Sequence, residues 1–131
     1  MTTLTLQFFD VSAKKSKKIE PVLQRETRAQ REPSLHCKLC GHLITTENER
    51  TEANGQHLHT CRNPAGFEFT FGCFHQAPGC NAIGKASSEH SWFAGYSWQI
   101  AVCAGCGEHL GWLFCGEHEF FGLIVGKLTS G

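Results

Sequence analysis

The 131-residue sequence has no excess of charge of either sign: lysine and arginine total 12, and aspartate and glutamate total 12. A neutral balance argues against a general nucleic-acid binder, whose domain would be basic. Charged residues make up only 18 % of the chain, too few for a highly charged disordered tail protein. No run of about 18 or more apolar residues occurs, so no membrane-spanning helix is predicted. The opening MTTLTLQFFD is polar, with no lysine or arginine ahead of its apolar stretch, which predicts no secretory leader. Thr2 and the closing Leu-Thr-Ser-Gly predict no lipid anchor. A cytoplasmic protein is expected, with neither nucleic acid nor membrane as partner.

Cysteine, by contrast, is abundant, at eight residues. In a reducing compartment that density points to metal before disulfides, and a chain this short gains from such a staple. The chemistry is unevenly spread. Residues 1–34 hold seven basic and four acidic side chains, and no cysteine, histidine or tryptophan. The remainder holds all eight cysteines, all eight histidines and all three tryptophans. A boundary near Pro33 therefore separates an N-terminal arm or lead-in helix (1–34) from a chemically rich domain (35–131). Within the arm, Lys14, Lys15, Lys17 and Lys18 precede a weak helical stripe over 19–31, with Pro21 suited to its first turn. Four lysines without interleaved aromatics read as a solvated face.

Beyond the boundary the pattern is mostly β. Phe67, Phe69, Phe71 and Cys73 alternate with Glu68, Thr70 and Gly72, a period of two. Trp98, Ile100 and Val102 alternate before a Cys pair, and Leu110, Trp112 and Phe114 alternate after it. A last strand is predicted over Phe120 to Val125. Turns are predicted at Asn54-Gly55, Asn63-Pro64-Ala65-Gly66, Ala77-Pro78-Gly79 and Ala94-Gly95.

Two units repeat: Cys37-Lys38-Leu39-Cys40-Gly41 and Cys103-Ala104-Gly105-Cys106-Gly107. A Cys-x-x-Cys turn places two thiolates on one side of a tight loop, and the glycine that follows allows positive φ. Two such turns supply the tetrahedral four-sulfur set of a closed structural zinc site. An iron site of rubredoxin type uses the same sulfurs. His36, His42 and His109 flank these turns as substitute ligands, and His57 with His59 is a weaker pair elsewhere. A closed site leaves no open position, so this metal is expected to hold the fold rather than catalyse. Of the other cysteines, Cys73 is expected buried and inert, and Cys61, Cys80 and Cys115 are expected in turns.

All three tryptophans lie in the stretch from Trp92 to Trp112. Trp98 enters the second cysteine turn and Trp112 leaves it, so cross-strand pairing brings them together. Phe114 lies on the Trp112 face as a floor. Burial in a small core and the walls of a ligand cage are both open readings. An aromatic cage suits a flat or cationic ligand. The loop His90-Ser91-Trp92 adds backbone N–H and C=O groups, which a planar imide would match.

Glu89-His90-Ser91-Trp92-Phe93-x-Gly95-Tyr96-x-Trp98, Cys103-x-x-Cys106, His109-Leu110-Gly111-Trp112 and Phe121-Gly122-Leu123 together resemble the thalidomide-binding (CULT) domain family of cereblon. The resemblance is strongest to its small bacterial single-domain members. It covers about residues 35–128 and includes Cys37-x-x-Cys40, Asn63-Pro64-x-Gly66 and Ile83-Gly84. It implies a mainly β, β-tent-like fold of two antiparallel sheets pinned by one structural Zn²⁺ on Cys37, Cys40, Cys103 and Cys106. It further implies Trp92, Trp98 and Trp112 as cage walls with Phe114 at the floor. His90 and Trp92 would give backbone hydrogen bonds to a glutarimide, and Asn63 and Pro64 would lie near the mouth.

The function so implied is a non-enzymatic module for cyclic imides of the thalidomide type or uracil-like rings, extending to a C-terminal cyclic imide on proteins. A ubiquitin ligase adaptor role is not implied, because the large protease-like domain of cereblon has no counterpart in this sequence. Two rivals stand beside this reading. One is a thiol enzyme like methionine-R-sulfoxide reductase, for which Cys61-Arg62-Asn63 only scrambles the needed motif. The other is a methyl-lysine reader.

Overall fold

The computed structural model describes residues 33–130. The lead-in helix expected over 19–31 lies outside the described residues. Ten strands follow in order: β1 (Ser34–Cys37), β2 (Leu43–Thr46), β3 (Arg50–Thr51), β4 (Leu58–Arg62), β5 (Glu68–Phe74), β6 (Cys80–Ser87), β7 (Ser97–Cys103), β8 (His109–Cys115), β9 (Glu119–Ile124) and β10 (Leu128–Ser130). Two short 3-10 turns, Glu47–Glu49 and Val125–Lys127, interrupt them.

The strands form two antiparallel sheets, as expected. The larger has seven strands, ordered β3-β5-β9-β8-β7-β6, with β4 also paired to β5. The smaller has three, ordered β10-β1-β2. The predicted strands over 67–73, 98–102, 110–114 and 120–125 fall on β5, β7, β8 and β9, each within a residue or two at its ends.

Turn chemistry explains the hairpins. Asn54 and Gly55 sit at φ 52° and 80°, and Ala53 and Gln56 exchange both backbone hydrogen bonds across them. Two successive positive φ values match the right-handed twist of the flanking chain, which is why Asn-Gly occurs here. The β4–β5 hairpin turns at Asn63–Gly66. Its Asn63 Oδ1 accepts the Phe67 N–H at 2.9 Å, so the asparagine side chain closes its own turn.

The two faces of the large sheet build two apolar clusters. One face meets the small sheet: Phe74, Cys103, Leu110 and Leu123 pack with Cys37 and Ile44, and Leu35 and Leu128 close the edge. The opposite face is aromatic. Phe71, Cys73, Trp112, Phe114, Phe120 and Ile124 are buried there beneath the loop that carries Trp92 and Phe93.

One irregularity corrects the sequence reading. In the β7–β8 pairing, Ala101 lies opposite Gly111 but Val102 lies opposite His109, so Leu110 is the extra residue of a bulge. A one-residue slip reverses the side to which following side chains point. Leu110 therefore packs between the sheets, and His109 joins Trp112 on the aromatic face. Two cysteines are also differently placed from expectation: Cys61 lies within β4 and Cys115 ends β8. Cys80 begins β6 while closing the expected turn, its N–H donating to the Ala77 carbonyl at 3.0 Å. Strand pairing is a non-local constraint that the immediate neighbours of Cys61 and Cys115 do not encode.

Candidate functional site

The four knuckle cysteines converge. Their sulfur atoms all lie within 4.8 Å of one another, with Cys37 to Cys106 at 3.8 Å and Cys40 to Cys103 at 3.6 Å. A tetrahedral zinc with bonds of about 2.3 Å requires sulfur–sulfur edges of about 3.8 Å. The spacing of the donors therefore fits a metal ion. The two knuckles are built alike. The Gly41 N–H donates to the Cys37 carbonyl and the Gly107 N–H to that of Cys103, both at 2.8 Å. Both glycines have positive φ, 83° and 82°, which a residue with a Cβ adopts only with strain. The Gly105 N–H also points at the Cys103 sulfur, at 3.3 Å. Burial opposes ionisation of Cys103, yet N–H groups of Cys106 and Gly105 and the adjoining thiols outweigh it and bring the thiol down to about 7.

The clamp joins distant parts of the fold. The first knuckle lies between β1 and β2 of the small sheet, the second between β7 and β8 of the large one. Lys38 N–H bonds to the Lys127 carbonyl and Ala104 N–H to that of Gly79, both at 2.9 Å. Lys127 Nζ donates to Glu108 at 2.6 Å beside the second turn. None of the three flanking histidines is among the converging donors, and His42 lies against Gly105 of the second knuckle. His36 Nδ1 lies 3.0 Å from the Gly41 carbonyl, and His109 faces the aromatic side. His57 and His59 bond instead to the carbonyls of Thr51 and Gln56, both at 3.0 Å.

On that aromatic face lies a cavity of about 340 Å³. Of the eight residues expected to bind a ligand, Asn63, Pro64, His90, Trp92, Trp98, Trp112 and Phe114 line it. Ser91 lines a separate hollow beside Phe93, where its hydroxyl donates to the Phe93 carbonyl at 3.1 Å. Its hydrogen bond braces the loop. Phe69, Ile100 and His109 also line the cavity and were missed. Ile100 follows Trp98 by two and Phe69 sits within the predicted alternation, so both were accessible to a period-two reading. His109 was hidden by the bulge.

The walls are held rigidly. Trp92 meets Trp112 edge-on, with ring centres 4.9 Å apart, and stacks on Phe71 at 5.6 Å. Phe69 meets Trp112 edge-on at 5.2 Å. Such pairs each add about 0.5–1.5 kcal/mol beyond area burial. Trp98 lies opposite Phe114 on the neighbouring strand, and Trp112 opposite Ile100, so the two indoles are diagonal neighbours. Two indole N–H groups are anchored by backbone. Trp92 Nε1 donates to the Arg62 carbonyl at 3.1 Å and Trp98 Nε1 to that of Glu89 at 2.8 Å. Those two walls consequently present carbon to the cavity.

His90 sits at φ 58°, a left-handed conformation uncommon for a residue with a side chain. The N–H groups of His90 and Trp92 and the carbonyl of His90 have no hydrogen-bond partner among the described residues. These unpartnered backbone groups belong to two residues that line the cavity. Burial pushes the His109 imidazole below its ordinary pKa, against the Gly111 hydrogen bond. Its Nε2 donates to the Gly111 carbonyl at 3.0 Å. The ring meets Trp112 edge-on, with centres 5.1 Å apart.

No activated thiol accompanies this cavity. Burial raises the Cys61 thiol, and raises Cys73 to about 11. Cys115 is raised by burial and by Glu119, to whose carboxylate its thiol donates at 3.4 Å. Among the described residues, none of these thiols hydrogen-bonds to a histidine. No helix of the described residues is long and apolar enough to cross a membrane.

No family model matches the chain. Curated relatives do. The chain is 41 % identical to cereblon of Gallus gallus over 88 residues, covering 62 % of this chain and 19 % of that protein. Cereblon of Danio rerio is 39 % identical over 84 residues with the same coverages, and that of Drosophila grimshawi 52 % over 54 residues. The chain spans about a fifth of the length of the vertebrate relatives it matches. The chain is thus similar, over part of its length, to a segment of cereblon.

Proposed function

We propose that residues 35–131 form a non-enzymatic binding module whose aromatic cavity takes a cyclic imide of the glutarimide or thalidomide type, or a uracil-like ring. The observation that carries this reading is the cavity walled by Trp92, Trp98 and Trp112, two of whose lining residues, His90 and Trp92, have backbone groups without a partner among the described residues. An imide presents C=O, N–H and C=O in a row, the complement of N–H, C=O and N–H. Trp92, Trp98 and Trp112 would sandwich the ring, with Phe114 beneath it and Asn63 and Pro64 at the mouth. Zn²⁺ on Cys37, Cys40, Cys103 and Cys106 would hold the two sheets in the arrangement that keeps the cavity open.

The reading extends to a cyclic imide at a protein's C-terminus, since the cavity opens at the exposed Pro64 and His90. Residues 1–34 would be an arm outside this module, in a cytoplasmic protein akin to the small bacterial single-domain members. No ligase adaptor role is carried over from the relatives.

Titration of the full chain with glutarimide, uracil and trimethyl-lysine, followed by tryptophan fluorescence, tests the proposal. Saturable quenching by glutarimide and uracil, and none by trimethyl-lysine, is expected. Binding of trimethyl-lysine alone would overturn it, as would thiol-dependent reduction of a methionine sulfoxide peptide.

A further inference from the structure

Cys80 has no part in the clamp or the cavity, yet the sheet register places it directly opposite Cys103, a member of the four-sulfur set. The pairing type is settled by where the backbone donors go. The Cys80 N–H bonds to the Ala77 carbonyl at 3.0 Å, and the Cys103 N–H to that of Glu108 at 2.8 Å. The two cysteines therefore exchange no hydrogen bonds and form a non-hydrogen-bonded antiparallel pair. Such pairs have Cα atoms about 4.5 Å apart and their side chains closest. A disulfide needs Cα atoms about 4.4–6.8 Å apart. Both side chains also lie on one face, since Cys103 is in the cluster between the sheets and Cys80 packs against it.

We infer that Cys80 and Cys103 form an oxidative modification site, in which a cross-strand disulfide removes Cys103 from the metal. The bond and the metal are mutually exclusive uses of one sulfur. The oxidant is a peroxide. The Cys103 thiolate attacks one peroxide oxygen, the O–O bond breaks and hydroxide leaves, giving a sulfenic acid. The Cys80 sulfur then attacks the Cys103 sulfur, the S–O bond breaks, and that hydroxyl leaves with the Cys80 proton as water. Two thiol sulfurs are each oxidised by one electron, and the peroxide takes both. Removal of one of four thiolates leaves three, and the metal is released.

The experiment uses the full chain loaded with zinc, treated with hydrogen peroxide, and reads zinc release with a chromogenic chelator and disulfides by peptide mass mapping. A peptide pair joined through Cys80 and Cys103 is expected to appear in step with zinc release. Cys80→Ala is expected to take up zinc as the parent does and to release it about threefold or more slowly. Cys80→Ser serves the same purpose should the alanine variant fail to fold. Equal release rates in parent and variant would overturn the inference, as would disulfides that join only Cys37, Cys40, Cys103 and Cys106. Mapping of the metal-free chain applies the same test to the pair without relying on the metal.

Discussion

Trp112 is 6 % exposed and touches Trp92, Phe69, Phe71 and His109 through its ring, while one side borders the cavity. Trp98 makes the opposing wall, with its N–H already spent on the Glu89 carbonyl. Replacement of either by alanine removes one side of the sandwich. Trp98→Ala is expected to weaken glutarimide binding about tenfold or more, read by calorimetry, with zinc content unchanged because neither ring contacts the clamp. His109 makes a subtler prediction. Its folded pKa lies below the ordinary imidazole value because of burial. A depressed histidine contributes stability that is complete above the unfolded pKa of about 6.5 and is lost as pH falls through and below it. The melting temperature should therefore drop between pH 7.5 and 5.5, and drop less in His109→Gln. Equal slopes in the two proteins would refute the assignment. The indoles were legible from sequence because tryptophan is rare and its spacing visible. His109 was not, because its direction depends on the Leu110 bulge in a strand pair.

Among the strands, β8 and β9 make the closest backbone approach that the site depends on. A Cβ placed on Gly111 would lie 1.9 Å from the Gly122 carbonyl oxygen, and no flexible side chain is there to yield. Gly111→Ala must push the two strands apart at the base of the aromatic face. A loss of about 2–3 kcal/mol is expected from urea denaturation, with weaker imide binding as a consequence. The β4–β5 hairpin acts on the site through backbone. Its Arg62 carbonyl holds the Trp92 N–H, and its Asn63 side chain closes the turn at the cavity mouth. Sequence marked that turn by Asn-Pro-Ala-Gly. It carried no sign of the Arg62 carbonyl, since any residue but its neighbours offers the same oxygen. The outer strand β6 escaped prediction for a related reason. Nearly every side chain along it is exposed, so no alternation of apolar and polar residues exists to be read.

Across the whole molecule, the clamp ties the small sheet to the large one through two knuckles far apart in sequence. The core between the sheets is modest, and a structural metal adds folding free energy outright. Chelation with excess EDTA should abolish the cooperative thermal transition and the fluorescence response to glutarimide together. Cys103→Ser should lose both the metal and the transition. A zinc-free chain with an unchanged transition, measured by calorimetry, would show that packing alone holds the sheets. One zinc per chain is expected by atomic emission.

Short-range chemistry left its mark in the letters themselves. Two Cys-x-x-Cys-Gly units announce four thiolates, Asn-Gly announces a turn with two positive φ values, and alternating aromatics announce half-buried strands. These signals arise from forces that act within a few residues. Which sulfur stands opposite which, which way His109 points, and which carbonyl anchors each indole arise from register and sheet pairing between distant segments. A single bulge inverts the facing of every residue beyond it, and nothing within a local window records where that bulge will fall.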